Sequence, residues 1–199
     1  LREDGYNQAI ILPRSIKSAL IPWMAGIPVR TGFKGEMRYR LINDMRSLDS
    51  AILNQTVKRF VALGVEKDRV LPLINQPRLI VSEHNKSKII NRLDLDLKRP
   101  TIGILPGAEY GPAKQWPPNY FSQVIEEYLS KDWSVFILGS PKDQEISQDI
   151  QSQLPKAEYP NLFDLTGQTT LLDAVEILSM LNIVLTNDSG LMHITAAVG

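Results

Sequence analysis

Hydrophobic and polar positions along the chain fall into short apolar runs that alternate with stretches of helical spacing. The run Gln-Ala-Ile-Ile-Leu at 8–12 is β-branched and apolar, Pro13, Arg14 and Ser15 break it, and 16–25 has helical spacing up to Gly26 at a C-cap position. Pro28-Val-Arg-Thr-Gly32 predicts the next strand. The spacing of Ala51, Ile52, Val57, Phe60, Val61 and Leu63 predicts a helix over 50–63, closed by Gly64.

Between 71 and 100 the rhythm loosens. Pro72, Pro77 and Pro100, the polar patch at 82–88 and the Leu-Asp-Leu-Asp-Leu alternation at 93–97 predict a linker with one helical piece. The expected domains are therefore 1–98 and 99–199. From Thr101 the alternation tightens into a strand at 101–105, a loop at 106–118 and a helix at 119–130. A strand at 133–138 and a helix at 141–154 follow, then a strand at 162–165, a helix at 171–181, a strand at 183–186 and a helix opened by Asp188. Strands and helices taking turns at this spacing predict right-handed βαβ units, a parallel sheet covered on both faces, and an α/β fold class.

Composition and charge narrow the function. Of 199 residues, 22 are Lys or Arg and 22 are Asp or Glu, a balance that argues against a dedicated nucleic-acid binder. The absence of Cys removes disulfides, thiolate zinc sites and Cys nucleophiles. No apolar run approaches the roughly 18 to 20 residues that span a bilayer, so no transmembrane segment is expected. His84 and His193 lie far apart in sequence, and the Gly-x-Gly-x-x-Gly, P-loop and Gly-x-Ser-x-Gly signatures are absent.

Three βα loops carry candidate chemistry, because ligands of open α/β sheets bind beyond the carboxyl ends of the strands. The loop after 101–105 exceeds the usual length of about 2 to 6 residues. Gly107 and Gly111 in it suit close backbone approach, and Lys114 offers a positive charge to a phosphate or a sugar oxygen. In Gly139-Ser-Pro-Lys-Asp-Gln-Glu145, Ser140 is a natural N-cap with Pro141 at N1, and Asp143 and Glu145 suit the helix dipole; a carboxylate there also suits ribose hydroxyls. In Thr186-Asn-Asp-Ser-Gly-Leu-Met-His193, Asp188 or Ser189 caps the final helix. Gly190 permits a tight turn whose N–H groups suit a pyrophosphate. Each loop also has a plain structural reading, as a solvated connection or a capped junction, with His193 as an ordinary surface or core residue.

Taken together, Pro106-Gly-Ala-Glu-Tyr-Gly-Pro-Ala-Lys-Gln-Trp-Pro117 and Thr186-Asn-Asp-Ser-Gly-Leu-Met-His193 closely resemble the bacterial lipopolysaccharide heptosyltransferases, nearest to their heptosyltransferase II branch. Leu12-Pro-Arg-Ser-Ile-Lys-Ser-Ala-Leu-Ile-Pro22 and the stretch from Ala25 to Tyr39 look like that family's amino-terminal domain. The resemblance implies two Rossmann-like domains of the glycosyltransferase-B type, both incomplete in this chain, and an inverting, metal-independent transfer without a cofactor. ADP-L-glycero-D-manno-heptose is the implied donor and the heptosylated Kdo-lipid A core the implied acceptor. A cytoplasmic location, peripheral on the inner face of the inner membrane, is implied with them.

Carried over by motif, Lys114 is expected at the donor's phosphate or heptose, Asp188 at the heptose hydroxyls, and the amides of Ser189, Gly190 and Leu191 at the pyrophosphate. Gly107, His193 and Asp143 or Glu145 complete the expected donor site. Glu109 and Tyr110 replace threonines that contact phosphate in the related heptosyltransferase I. Arg14, Lys17 and Arg38, within a locally basic stretch with Arg30, Lys34 and Arg40, are expected at the acceptor's anionic groups. The resemblance places the general base before Leu1 and further donor-domain strands after Gly199, so the sequence reads as an internal fragment, inactive by itself. Two alternatives stay open at this stage: a non-catalytic nucleotide-binding module, and a glycosyltransferase-B enzyme with another donor sugar.

Overall fold

The computed structural model of the chain describes residues 1–67, 69–108, 112–155 and 158–199. These form two compact units, Leu1–Asn75 and Gln76–Gly199.

The first unit holds a three-stranded parallel sheet in the order β1-β2-β3, made of β1 (Gln8–Ile11), β2 (Val29–Phe33) and β3 (Asp44–Arg46). Helix α1 (Ile16–Met24) starts at Ser15, whose side chain accepts from Ser18 N, and ends before Gly26 at φ +75°, the left-handed residue that the C-cap position anticipates. Ile11, Ala19 and Ile42 form one small core, and Phe33, Leu53 and Leu63 another.

Two local expectations change in this unit. The helix expected at 50–63 is α2 (Thr56–Gly64). Asp49 takes the residues before it into a turn, accepting from Ala51 N through Oδ1 and from Leu53 N through its carbonyl. Strand β3, Asp-Met-Arg, has no apolar alternation to announce it. It is held by its register with β2 and by Thr31 Oγ1 donating to Asp44 Oδ2.

The second unit begins earlier than the expected boundary at 98/99, inside the stretch read as linker. Helix α3 (Glu83–Leu93), the helical piece of that stretch, is a full part of it: Ile89 and Leu95 join a core with Ala174, Ile177 and Leu178, and the Glu176 carboxylate accepts from Ser82 N and Asn85 Nδ2 at the start of α3. The proline-rich composition marked a composition shift; the buried face of α3 decides to which unit the segment belongs.

The remaining elements are β4 (Thr101–Leu105), α4 (Pro118–Ser130), β5 (Ser134–Ile137), α5 (Gln144–Ser152), β6 (Leu162–Asp164), α6 (Leu171–Leu178), β7 (Ile183–Thr186) and α7 (Gly190–Val198). All four strands are parallel, in the order β6-β5-β4-β7. Strands β4 and β5 are buried along their length. One face is covered by Phe121, Ile125 and Leu129 of α4 with Ile146 and Ile150 of α5. The other is covered by Ala174, Ile177 and Leu178 of α6 and by Leu191 and Ile194 of α7.

The chain steps from β4 through β5 to β6 in one direction and places β7 on the opposite side of β4. The strand order therefore reverses between β4 and β7, and the crevice of such a sheet opens beyond the carboxyl ends of the strands at this point.

Candidate functional site

The register pairs Leu105 with Thr186, so the loops leaving β4 and β7 emerge side by side at the reversal. This brings together two residues far apart in sequence. Lys114, in a 3-10 turn at Pro112–Lys114, places Nζ 2.5 Å from Asp188 Oδ2. The Lys114 hydrogen bond, then its charge, hold the Asp188 carboxyl below the usual carboxylate range; burial opposes them slightly and His193 adds a small lowering.

A cleft of about 430 Å³ lies beside the pair, lined by Lys114, Gln115, Trp116, Phe121, Thr186, Asn187 and Asp188 among others. Trp116 forms its aromatic wall, stacked on Tyr120 at 5.4 Å and edge-on to Phe121 at 5.0 Å. The side chain is thus tucked against α4 while still facing the cleft.

Helix α7 begins at Gly190, with Ser189 as its N-cap in extended backbone and without a side-chain capping bond. Its first N–H groups carry the positive end of the helix dipole beside Asp188. A Cβ at Gly190 would meet nothing within 4 Å, and its φ is not left-handed. The tight turn expected from sequence therefore does not require this glycine, which instead leaves open space over the helix start. Leu191 faces inward to the core and His193 is exposed.

The Asp143 carboxylate accepts from Ser140 N and Ser140 Oγ, both at 2.7 Å, in the capping box that opens the turn before α5. Around it pack two glycines. A Cβ at Gly107 would lie 2.7 Å from Asp143 Oδ1, and one at Gly139 would lie 2.8 Å from Asp143 Cβ. Gly107 thus makes room for Asp143, a neighbour that the sequence did not reveal. Glu145 is exposed in the first turn of α5. Glu109, Tyr110 and Gly111 lie outside the described residues.

In the first unit, Arg14 lines a cleft of about 580 Å³ with Lys34, Glu36, Tyr39 and Ser47, residues that all follow the carboxyl ends of β1, β2 and β3. Lys17 is exposed on α1. Arg38 departs from the expectation of a basic acceptor surface: it is 1% exposed. Its guanidinium donates through Nη1 to Pro13 O, Ser15 O and Ser18 Oγ and through Nη2 to Phe33 O, all inside the unit, while its buried Nε has no partner among the described residues. Burial, then Arg14, lower its pKa, while Glu36 opposes.

Sequence reasoning assigned no role to Asn187, although it stands inside the quoted motif. It is buried and hydrogen-bonded to both ends of the β4–α4 loop. An Asn directly before Asp188 of the quoted motif was the available signal. Among the described residues no group of three or more His, Asp and Glu side chains is placed to hold a metal ion.

An open parallel sheet whose strand order reverses in this way places the chain among the α/β proteins whose ligands bind beyond the strand ends at the reversal. The chain belongs to glycosyltransferase family 9, the heptosyltransferases, whose family model matches residues 1–199. It is 42% identical over 205 residues to lipopolysaccharide heptosyltransferase 2 of Escherichia coli, covering 100% of this chain and 59% of that protein. It is 39% identical over 207 residues to lipooligosaccharide heptosyltransferase 2 of Haemophilus influenzae, again covering 100% of this chain and 59% of the relative.

The solved structure of the E. coli ADP-heptose LPS heptosyltransferase II superposes with a TM-score of 0.78 at 41% identity, over 99% of this chain and 61% of that one. A family 9 glycosyl transferase from Veillonella parvula shares the fold, with a TM-score of 0.72 at 20% identity over 97% of this chain and 55% of that one. The chain thus spans 59% of the length of its curated relatives.

Proposed function

We propose that the protein carrying this chain transfers L-glycero-D-manno-heptose from ADP-heptose to a heptosylated Kdo-lipid A core, in building the lipopolysaccharide inner core. The observation that carries the reading is the meeting of Lys114 and Asp188 at the strand-order reversal, in a chain of the heptosyltransferase family. The likeness to an ADP-heptose heptosyltransferase at 41% identity supports the choice of donor.

In this reading the second unit is the donor domain and the first belongs to the acceptor domain of a glycosyltransferase-B pair. The acceptor hydroxyl gives its proton to a general base of the acceptor domain and attacks the anomeric carbon, the bond to the diphosphate breaks with ADP leaving, and the configuration inverts. Negative charge grows on the departing ADP. Lys114 Nζ and the N–H groups at Ser189, Gly190 and Leu191 face that charge without a metal or cofactor, and they act by being already in place. Asp188 holds heptose hydroxyls, and on donor binding its carboxylate exchanges part of its bond to Lys114 for them. Asp143, beside Gly107, takes the ribose while still capping its turn.

On the acceptor side, Arg14 and Lys34, in the cleft beyond the strands of the first unit, suit the carboxylates and phosphates of an anionic lipid core, with Lys17 nearby on α1. No helix among the described residues is long and apolar enough to cross a membrane. The proposed location, which follows from the lipid-core acceptor of this reading, is peripheral, at the cytoplasmic face of the inner membrane.

The test is consumption of ADP-heptose with heptosylated Kdo-lipid A by the protein at the length of its relatives, comparing wild type, Lys114→Ala and Asp188→Ala. Transfer by wild type and its loss in both folded variants is the expected result. Binding of ADP without transfer by wild type would instead establish a nucleotide-binding module.

A further inference from the structure

We infer that Asn187 is the positioning residue for Lys114, a role that rests on the donor-site reading above. Asn187 follows β7 directly and precedes Asp188. Its side chain is buried, with the residue 7% exposed. Its carboxamide is used at both ends: Nδ2 donates to Pro106 O at 2.8 Å, and Oδ1 accepts from Trp116 N at 3.1 Å. Its backbone N–H also reaches Leu105 O at 3.4 Å. Pro106 is the first residue of the loop after β4, and Trp116 stands just before α4 begins at Pro118. One side chain thus ties together the two ends of the loop that carries Lys114.

The chemistry at 187 demands a primary amide. A planar end that carries a donor and an acceptor side by side matches a carbonyl and an N–H that face it together. An aspartate of the same shape would keep the bond from Trp116 N and turn a lone pair toward Pro106 O. An alanine would take the partner from the Pro106 carbonyl, whose bond is buried, and from the part-buried Trp116 N–H, and the first of these losses is costly in a protein interior. The tie has a geometric consequence for the site. Lys114 stands two residues before Trp116, and Asp188 one residue after Asn187, so the same carboxamide fixes both members of the ion pair against each other. Packing of Trp116 on Phe121 anchors the loop on its other side.

A double-mutant cycle separates positioning from plain structural support, because residues that act as a unit are non-additive. Transfer kinetics and ADP affinity by calorimetry would be measured on the protein at the length of its relatives, for wild type, Asn187→Ala, Asn187→Asp, Lys114→Ala and the double variants. The expected result is a loss of about tenfold or more in kcat/KM and a matching weakening of ADP binding when Asn187 is changed alone. In the Lys114→Ala background those losses should shrink to less than about twofold. Equal losses in both backgrounds, or no loss at all, would overturn the inference, as would failure of both Asn187 variants to fold.

If wild type binds ADP and transfers nothing, the transfer reading falls by itself; the coupling in ADP affinity then still decides the role of Asn187. If wild type neither transfers nor binds ADP, both fall together.

Discussion

Lys114 Nζ and Asp188 Oδ2 stand 2.5 Å apart across the exits of β4 and β7, with 44% and 61% of their side-chain surfaces exposed. An ion pair so open to water does little for stability, because solvent screens it and two long side chains lose freedom in forming it. In the proposed reading its value lies in placing opposite charges where the nucleotide sugar would arrive. Lys114→Ala and Asp188→Ala should therefore shift the melting temperature by no more than about 3 °C. The same changes should lower transfer by about a hundredfold or more, the scale of losing a preorganised charge at a reacting centre. A large drop in melting temperature with ordinary transfer would reverse this assignment.

The same pair predicts a titration. Because the hydrogen bond and charge of Lys114 hold the Asp188 carboxyl low, Lys114→Met should move its midpoint upward, toward the ordinary carboxylate range. Carbon NMR of the Asp188 carboxyl follows the shift directly. An unmoved midpoint would mean that the two side chains do not pair in solution.

Arg38 illustrates a basic residue whose charge serves the interior. Its donations to Pro13 O, Ser15 O, Ser18 Oγ and Phe33 O join the exits of β1 and β2 with the start of α1. Arg38→Leu would remove these four hydrogen bonds, including the buried one to Phe33 O, while Pro13 O and Ser15 O keep Ser18 Oγ as a donor. The expected cost is about 3 kcal/mol, within the range for hydrogen bonds to a charged donor. Chemical denaturation would measure it. Arg14→Ala, at an exposed position, should cost far less and instead weaken binding of the acceptor; similar denaturation midpoints for the two variants would contradict this division of roles.

What could be read in advance follows from the range of each interaction. The alternation of β4, β5 and β7 with their helices was legible because each strand is an apolar run and each helix has one apolar face. Strand β3 was not, since Asp-Met-Arg owes its conformation to pairing with β2. The start of α2 was displaced by a side-chain turn at Asp49 that competes with helix. Lys114 and Asp188 were legible as motif residues, and their contact was not, because strand order is set by tertiary packing. The burial of Arg38 was hidden for the same reason: composition counts a charge without saying which way it faces.

Asp44 gives the first unit a pH dependence. The hydrogen bond from Arg46 lowers its pKa most, burial works against that, and Thr31 adds a further hydrogen bond. A carboxyl held below its unfolded value, about 3.9, stabilises the fold above that pH, and the contribution is lost as pH falls through the folded value. Wild type should therefore lose stability on acidification more steeply than Asp44→Asn. Melting curves between neutral pH and pH of about 3 would show it. Parallel curves for the two proteins would assign the acid sensitivity elsewhere.

Gly107 and Asp143 supply the last test, since the space between them fixes what each can be. A Cβ at 107 would lie 2.7 Å from Asp143 Oδ1, while Oδ2 is held at 2.7 Å by both Ser140 N and Ser140 Oγ. Gly107→Ala can be accommodated only if the carboxylate swings away, and that breaks the capping box. The cost should be about 1 kcal/mol, the usual worth of an N-cap. In an Asp143→Ala background the three atoms nearest to the added methyl, all of the carboxyl group, are gone, so Gly107→Ala should then cost almost nothing. That non-additivity, read from denaturation of the four proteins, identifies steric conflict with Asp143 as the reason for glycine. Additive costs would mean instead that the Gly107 backbone itself resists a side chain. ADP affinity on the same proteins separates the second role of the carboxylate: a cap alone predicts unchanged binding in Asp143→Ala, whereas a ribose contact predicts that binding weakens while Gly107 is still present.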